Sequence, residues 1–176
     1  MASLKAGNID ALGKLYEMFS TCIFKYSLRI MASKQAAEDI TQDVFLNIWK
    51  YRENYMPENR FKAWAMRICL NLCRDRRKSF EGRNISLDEN HLHQPDHSSS
   101  PEETVESAQI LERMAIAFNR LPEAFQQILA IRFDGDLSIA ETALALGCSI
   151  RTVHYQTAQA IENLRRLSEG VQNENA

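Results

Sequence analysis

Apolar positions along this chain recur at intervals of three and four rather than two, which is the repeat of a helix buried on one side. The pattern predicts helices near 8–32, 35–53, 59–80, 102–119, 121–133, 138–146 and 150–168, with almost no strand signal. An all-α class follows. In "DITQDVFLNIWK" (39–50), winding at about 100° per residue gathers Ile40, Val44, Ile48 and Tyr51 on one side as a core stripe. Asp39, Gln42, Asp43 and Lys50 take the opposite side, yet Leu46 falls in their middle and Trp49 at their edge. An apolar pair on a wet face calls for a cover.

The same winding applied to "FKAWAMRICLNLCRDRRK" (61–78) buries Phe61, Ala65, Ile68 and Leu72 and lines up Trp64, Arg67, Asn71, Arg74 and Lys78 on another face. On the last helix it buries Val153, Ala160, Ile161, Leu164 and Leu167 and leaves Arg151, Thr152, Tyr155, Gln156 and Gln159 exposed near the start.

Punctuation is densest in the second half. Leu121-Pro122 opens a helix with proline in its first turn, and "DGD" at 134–136 closes it. Ser138 with Glu141 three residues on is a capping box, in which each side chain satisfies a free amide at a helix start. Gly147 permits the positive φ of a tight turn, and Ser149 caps the next helix. Helix, glycine-bearing turn and helix at this spacing make a helix-turn-helix, whose second helix presents side chains to major-groove base edges; a plain helical hairpin is the competing reading.

Composition alters the picture through its distribution. The whole chain carries 21 basic and 23 acidic residues, net −2. Residues 60–83 hold eight basic against two acidic, net +6, whereas 84–108 hold six acidic and no Lys or Arg. That acidic stretch, with Pro95, Pro101 and three consecutive serines, reads as an exposed linker between two helical halves. On the cationic helix, charges suit phosphates, while an aromatic and an amide suit bases. A merely solvated basic face, with Trp64 in the core, fits the same pattern.

Cys69 and Cys73 stand four apart on a helix, and His91, His93 and His97 follow in the linker. A metal is one reading, but the cysteines fall near the buried side, where a free thiol behaves as a small hydrophobe, so neither metal nor cofactor is expected. Four cysteines without a framework spacing suit reduced thiols in a cytoplasmic protein. No apolar run of the roughly 20 residues a membrane span needs occurs, nor a signal peptide. No Ser/His/Asp set, phosphate loop or carboxylate pair points to an enzyme.

Taken in order, "AAEDITQDVFLNIW", the "FKAWAMRICLNLCRDRRK" helix, an acidic linker and "LPEAFQQILAIRFDGDLSIAETALALGCSIRTV" resemble the extracytoplasmic-function (ECF) sigma factors, from about Leu4 to Leu167. The resemblance implies two small helical domains, a region 2 bundle at 1–83 and a region 4 helix-turn-helix at 109–176, joined by a flexible acidic linker at 84–108. It implies that Asp39, Gln42, Asp43, Leu46 and Trp49 dock on the clamp helices of the large catalytic subunit of core RNA polymerase. An apolar anchor inside a hydrogen-bonding rim is how such interfaces are built, although Trp49 packed under the N-terminal helix is the alternative. The −10 promoter element falls to Tyr55, Arg60, Trp64, Arg67, Asn71, Arg74, Arg77 and Lys78, with one base flipped out and held near Tyr55 and Asn71. The −35 element falls to Ser149, Arg151, Thr152, His154, Tyr155, Gln156 and Gln159.

Family members commonly carry Lys or Arg along that last helix, whereas this one shows His154, Tyr155, Gln156 and Gln159 in a half that is net −2. Fewer phosphate contacts imply weak duplex binding by residues 109–176 alone, and glutamines favour A·T pairs. The linker either threads the enzyme's RNA-exit path or serves only as a tether. An anti-sigma partner covering Leu46 and Trp49 is implied as well. Two other readings fit the residues: a stand-alone helix-turn-helix regulator, which has no need of an exposed Leu46, and a decoy that sequesters an anti-sigma protein, which has no need of a base pocket.

Overall fold

The computed structural model describes residues 1–56, 60–81 and 104–174; the segment 84–103, most of the expected linker, lies outside the described residues, as do His91, His93 and His97. The elements are helices: α1 (Ala2–Lys5), α2 (Ile9–Met31), α3 (Lys34–Lys50), a 3₁₀ turn at Arg52–Asn54, α4 (Phe61–Glu81), α5 (Thr104–Asn119), α6 (Glu123–Phe133), α7 (Ile139–Leu146) and α8 (Ile150–Glu174). Among the described residues there is no strand. No described helix is long and apolar enough to cross a membrane.

Local chemistry sets the helix ends. Asn8 accepts from the Asp10 amide at 2.9 Å and starts α2, which stops where Ala32 turns left-handed at φ 50°. Ser33 then accepts from the Ala36 amide at 3.3 Å and starts α3. Pro122 sits one position before α6, as its cap, where the sequence placed it in the first turn; its carbonyl accepts from the Phe125 amide at 2.8 Å. Both bonds of the Ser138–Glu141 capping box form, Gly147 closes α7 at φ 68°, and the Ser149 hydroxyl accepts from the Thr152 amide at 3.0 Å.

In the first half, α2 and α3 pack on each other and on α4, and Leu4 of α1 is fully buried against them. Ile23, Tyr26 and Met31 of α2 meet Ile40, Val44 and Ile48 of α3 in the core. In the second half α5, α6 and α7 all pack on α8. Gln126 of α6 is buried against the α5–α6 turn, where its side-chain amide donates to the carbonyls of Asn119 and Leu121, so these carbonyls of the turn are satisfied away from water. The halves share one continuous apolar cluster, with α4 against α7 and α2 against α6.

Three stripes differ from the sequence reading. Tyr51 is 42% exposed, because α3 ends at Lys50 and the ring swings out beside the Lys50 ammonium, 5.2 Å away. Ile161 is 48% exposed, since about 100° per residue places it roughly 80° round from Val153, whereas Ala160 stays on the buried line. On α4, Phe61, Ile68 and Leu72 are half-buried, while Ala63, Met66, Cys69, Leu70 and Cys73 are buried. That helix is covered from two directions: its cysteines face Ser27 of α2, and Met66 faces the turn at Asp134–Asp136.

Candidate docking and nucleic-acid surfaces

On α3, Asp39 and Gln42 are exposed, Asp43 is half-buried, and Leu46 stands out at 65% exposure. Alternation between the core stripe and this face puts Leu46 opposite Val44 and Ile48, both fully buried. Covering it with a partner contributes about 1–2 kcal/mol, a large part of what a fully buried leucine is worth. Trp49 is different: it is half-buried against the core, and the Arg52 guanidinium stacks 4.4 Å from its ring centre while donating to the Trp49 carbonyl at 2.8 Å. Of the expected pair Leu46 is therefore the exposed member, with Trp49 forming a braced edge.

Arg76 of α4 reaches this face. Its guanidinium lies 3.2 Å from an Asp39 oxygen and 3.8 Å from an Asp43 oxygen. The sequence reading counted Arg76 only as part of a cationic run. Nothing in a linear pattern pairs positions 37 residues apart, and only the packing of α3 on α4 does so.

The expected −10 face lies on α4 and the loop before it. Asn71, Arg74 and Lys78 are exposed, and Arg77 is half-buried. Tyr55 is 6% exposed and forms an aromatic group with Phe61 and Trp64, its ring centre 5.3 Å from that of Trp64. Phe19 of α2 extends the group, 5.0 Å from Phe61. Tyr55 thus braces the loop's start, and the half-buried Trp64 ring forms the group's outer edge. Residues 57–59 lie outside the described residues; Arg60, which follows them, takes a positive φ of 35°, a conformation that costs a non-glycine residue about 1–3 kcal/mol. Its carbonyl accepts from the Trp64 amide at 3.2 Å and opens α4.

Two members of this face are turned toward the second half. The Arg67 Nε donates to the Ala145 carbonyl at 3.1 Å, and its Nη2 donates to the Leu144 carbonyl. Arg60 lies 4.0 Å from Glu141. Further along α4, Arg74, Arg77 and Lys78 line a cavity of about 280 Å³ against Glu123 and Gln127 of α6, and the Arg77 Nη1 is buried there without a hydrogen-bond partner.

The start of α8 presents the expected −35 set. Arg151, His154, Tyr155 and Gln159 are exposed, Tyr155 by 66%; Thr152 and Gln156 are half-buried. Ser149 and Thr152 are occupied as a cap, their hydroxyls 2.8 Å apart. A row of an aromatic, an imidazole, an amide and a single guanidinium reads base edges better than it grips phosphates.

The thiols of Cys69 and Cys73 are buried on the side of α4 that faces Ser27 of α2. Cys69 lies 3.2 Å from the Ser27 hydroxyl at full burial, and desolvation pushes its thiol well above the usual range. Among the described residues, no three His, Cys, Asp or Glu side chains converge as metal ligands.

Comparison with known proteins matches residues 15–83 to the Sigma-70 region 2 family and residues 117–166 to the Sigma-70 region 4 family. The first match contains α3 and α4; the second contains the helix-turn-helix. The chain is 30% identical over 164 residues to the ECF RNA polymerase sigma factor BldN of Streptomyces coelicolor. The chain belongs to the ECF sigma factors. The BldN match covers 91% of this chain but 62% of BldN, so the chain spans less than two thirds of that relative's length. A match to the sigma factor NccH of Alcaligenes xylosoxydans, 25% identical, covers 94% of this chain and 91% of NccH. Among solved structures, CnrH in complex with the cytosolic domain of CnrY superposes with a TM-score of 0.70 at 22% identity, covering 96% of this chain and 94% of CnrH. RpoE of Bartonella quintana, in complex with the anti-sigma factor NepR, gives the same score at 18% identity over 89% of this chain and 96% of RpoE. Those two likenesses show that this ECF sigma factor shares their fold.

Proposed function

We propose that the chain binds core RNA polymerase through α3, opens the −10 element on α4 and reads the −35 element through α8, so that transcription starts at a particular set of promoters. The observation that carries this reading is Leu46, exposed inside a rim of Asp39, Gln42 and Asp43 on a helix whose other side is fully buried. A regulator acting on duplex DNA alone has no use for it. Residues 1–83 would serve docking and melting, 84–108 the connection, and 109–176 duplex recognition. The work belongs in the cytoplasm, where polymerase and promoter are.

Family membership and the likeness to two sigma factors, one solved with the anti-sigma factor NepR and one with the cytosolic domain of CnrY, support control by an anti-sigma protein. A partner that covers Leu46 would block docking directly. The test is equilibrium binding of the full chain to core polymerase. Leu46→Ala is expected to weaken it about tenfold, as loss of a central interface anchor does, and an unchanged affinity would remove α3 as the docking element.

A further inference from the structure

We propose that Arg74, Arg77 and Lys78 of α4 and the first turn of α6 form a binding site for a diphosphate group, free as pyrophosphate or carried by a nucleotide. The site stands on the geometry of these two helices; only its consequence for the −10 strand rests on the sigma-factor reading.

The described cations on and just before α4 fall into two sets. Arg60 lies against Glu141, Lys62 bonds to Asp136, Arg67 donates to two main-chain carbonyls, and Arg76 sits against Asp39 and Asp43, so each of these is committed. Arg74, Arg77 and Lys78 pair with no carboxylate among the described residues, and all three line one cavity of about 280 Å³. Spaced i, i+3 and i+4, they share a face of the helix. Arg77 is half-buried, and its Nη1 is shut off from water without a hydrogen-bond partner. A buried charged donor left unsatisfied is costly, and an anionic oxygen in the cavity would satisfy it.

The facing wall is the start of α6, where Glu123, Ala124 and Gln127 complete the lining. Pro122 caps this 11-residue helix without a side-chain bond, and the amides of Glu123 and Ala124 have no acceptor within the helix. Such a helix start favours phosphate. The opposing charge is the Glu123 carboxylate, which accepts from the Gln127 side-chain amide at 2.8 Å. Three cations against one carboxylate leave the lining at net +2.

That charge, with guanidiniums that meet phosphate oxygens in pairs, suits two neighbouring phosphates better than a single phosphodiester. The volume lies at the small end for ligand clefts, which begin near about 300 Å³, so the cavity takes the diphosphate and leaves a nucleoside at its mouth. The same three side chains are expected to hold the −10 strand, so a bound diphosphate and the strand exclude each other. RNA synthesis consumes triphosphates and releases pyrophosphate, which puts this ligand class beside any chain bound to polymerase.

Isothermal titration calorimetry of the full chain with sodium pyrophosphate and, separately, with ADP in magnesium-free buffer reads the site without DNA or polymerase. One saturable site is expected, and the tighter probe identifies the source. Arg74→Gln/Arg77→Gln is expected to weaken binding about tenfold or more, through lost charge-assisted hydrogen bonds. Arg165→Gln/Arg166→Gln removes the same charge from α8, outside the cavity, and is expected to change binding by less than about twofold. Glu123→Gln keeps every cation and is expected to tighten binding about threefold, a gain that a misfolded variant could not give. No saturable binding of either probe, an equal loss in the α8 control, or sulfate bound as tightly as pyrophosphate would each overturn the site. Pyrophosphate that binds without displacing a fluorescein-labelled oligothymidylate would overturn the exclusion of the strand. A chain that fails to bind core polymerase would remove the sigma-factor reading, while the titrations still decide the site.

Discussion

The guanidinium of Arg76 lies 3.2 Å from the carboxylate of Asp39, joining the helix that carries the cationic face to the helix proposed to carry the docking face. Both partners are partly open to water, at 31% and 51% of their side chains, so the pair is worth little to the fold. Arg76→Ala is expected to lower stability by less than about 1 kcal/mol in chemical denaturation. Its larger effect falls on docking, because Asp39 and Asp43 lose the cation that screens them. The expected outcome is a polymerase on-rate whose dependence on salt changes while the melting midpoint barely moves. A large loss of stability with no change in salt dependence would make Arg76 a structural residue only.

Gly147 is placed where a side chain is penalised twice. Its φ of 68° lies in the left-handed region, and its neighbour is the Arg67 guanidinium. Gly147→Ala is expected to destabilise the full chain by about 1–2 kcal/mol, the penalty of that conformation for a residue with a Cβ. Urea unfolding followed by circular dichroism measures it, and an unchanged midpoint would show that the turn between α7 and α8 relaxes freely.

The capping box on α7 gives a pH-dependent prediction. Partial burial pushes the Glu141 carboxyl up, but bonds from the Ser138 hydroxyl and amide, with the charges of Lys62 and Arg60, outweigh it and hold the group below its ordinary 4.5. A carboxyl depressed in the folded state contributes stability above its unfolded value, and that contribution is lost as pH falls through the lower folded value. Stability should thus decline in acid below about pH 4.5. Ser138→Ala is expected to remove about 1 kcal/mol at neutral pH and to flatten that acid limb. Parallel pH profiles for the two proteins would contradict the assignment.

What the sequence disclosed was local. Ser138, Glu141, Gly147 and Ser149 act within four residues of themselves, so caps and turn were legible, and with them the helix-turn-helix. The long helices α2, α3 and α8 were legible too, because each has one dominant buried side. Positions whose burial depends on distant partners were misjudged: Tyr51, where the helix stops one residue short, and the α4 stripe, which a second cover from α7 rotates toward Met66. The four-residue helix α1, with Leu4 fully buried, leaves no periodicity to read. Leu46 and Trp49 looked equivalent in sequence; Arg52 stacking on the tryptophan separates them. The involvement of Arg67 with Ala145, 78 residues away, had no sequence signal.

The most direct test of the whole account is run-off transcription with purified core polymerase on fragmented DNA from the source organism, 5′ ends mapped, comparing the unaltered chain with Leu46→Ala and Asn71→Ala. The account predicts discrete starts that require the chain, fall with Leu46→Ala and recover when that variant is raised in concentration, as a docking defect should. Asn71→Ala should still bind polymerase yet fail to open the promoter, with strand reactivity to permanganate lost at the −10 position. Specific starts that both variants support as well as the unaltered chain does, or no starts at all from a chain that binds polymerase normally, would contradict it.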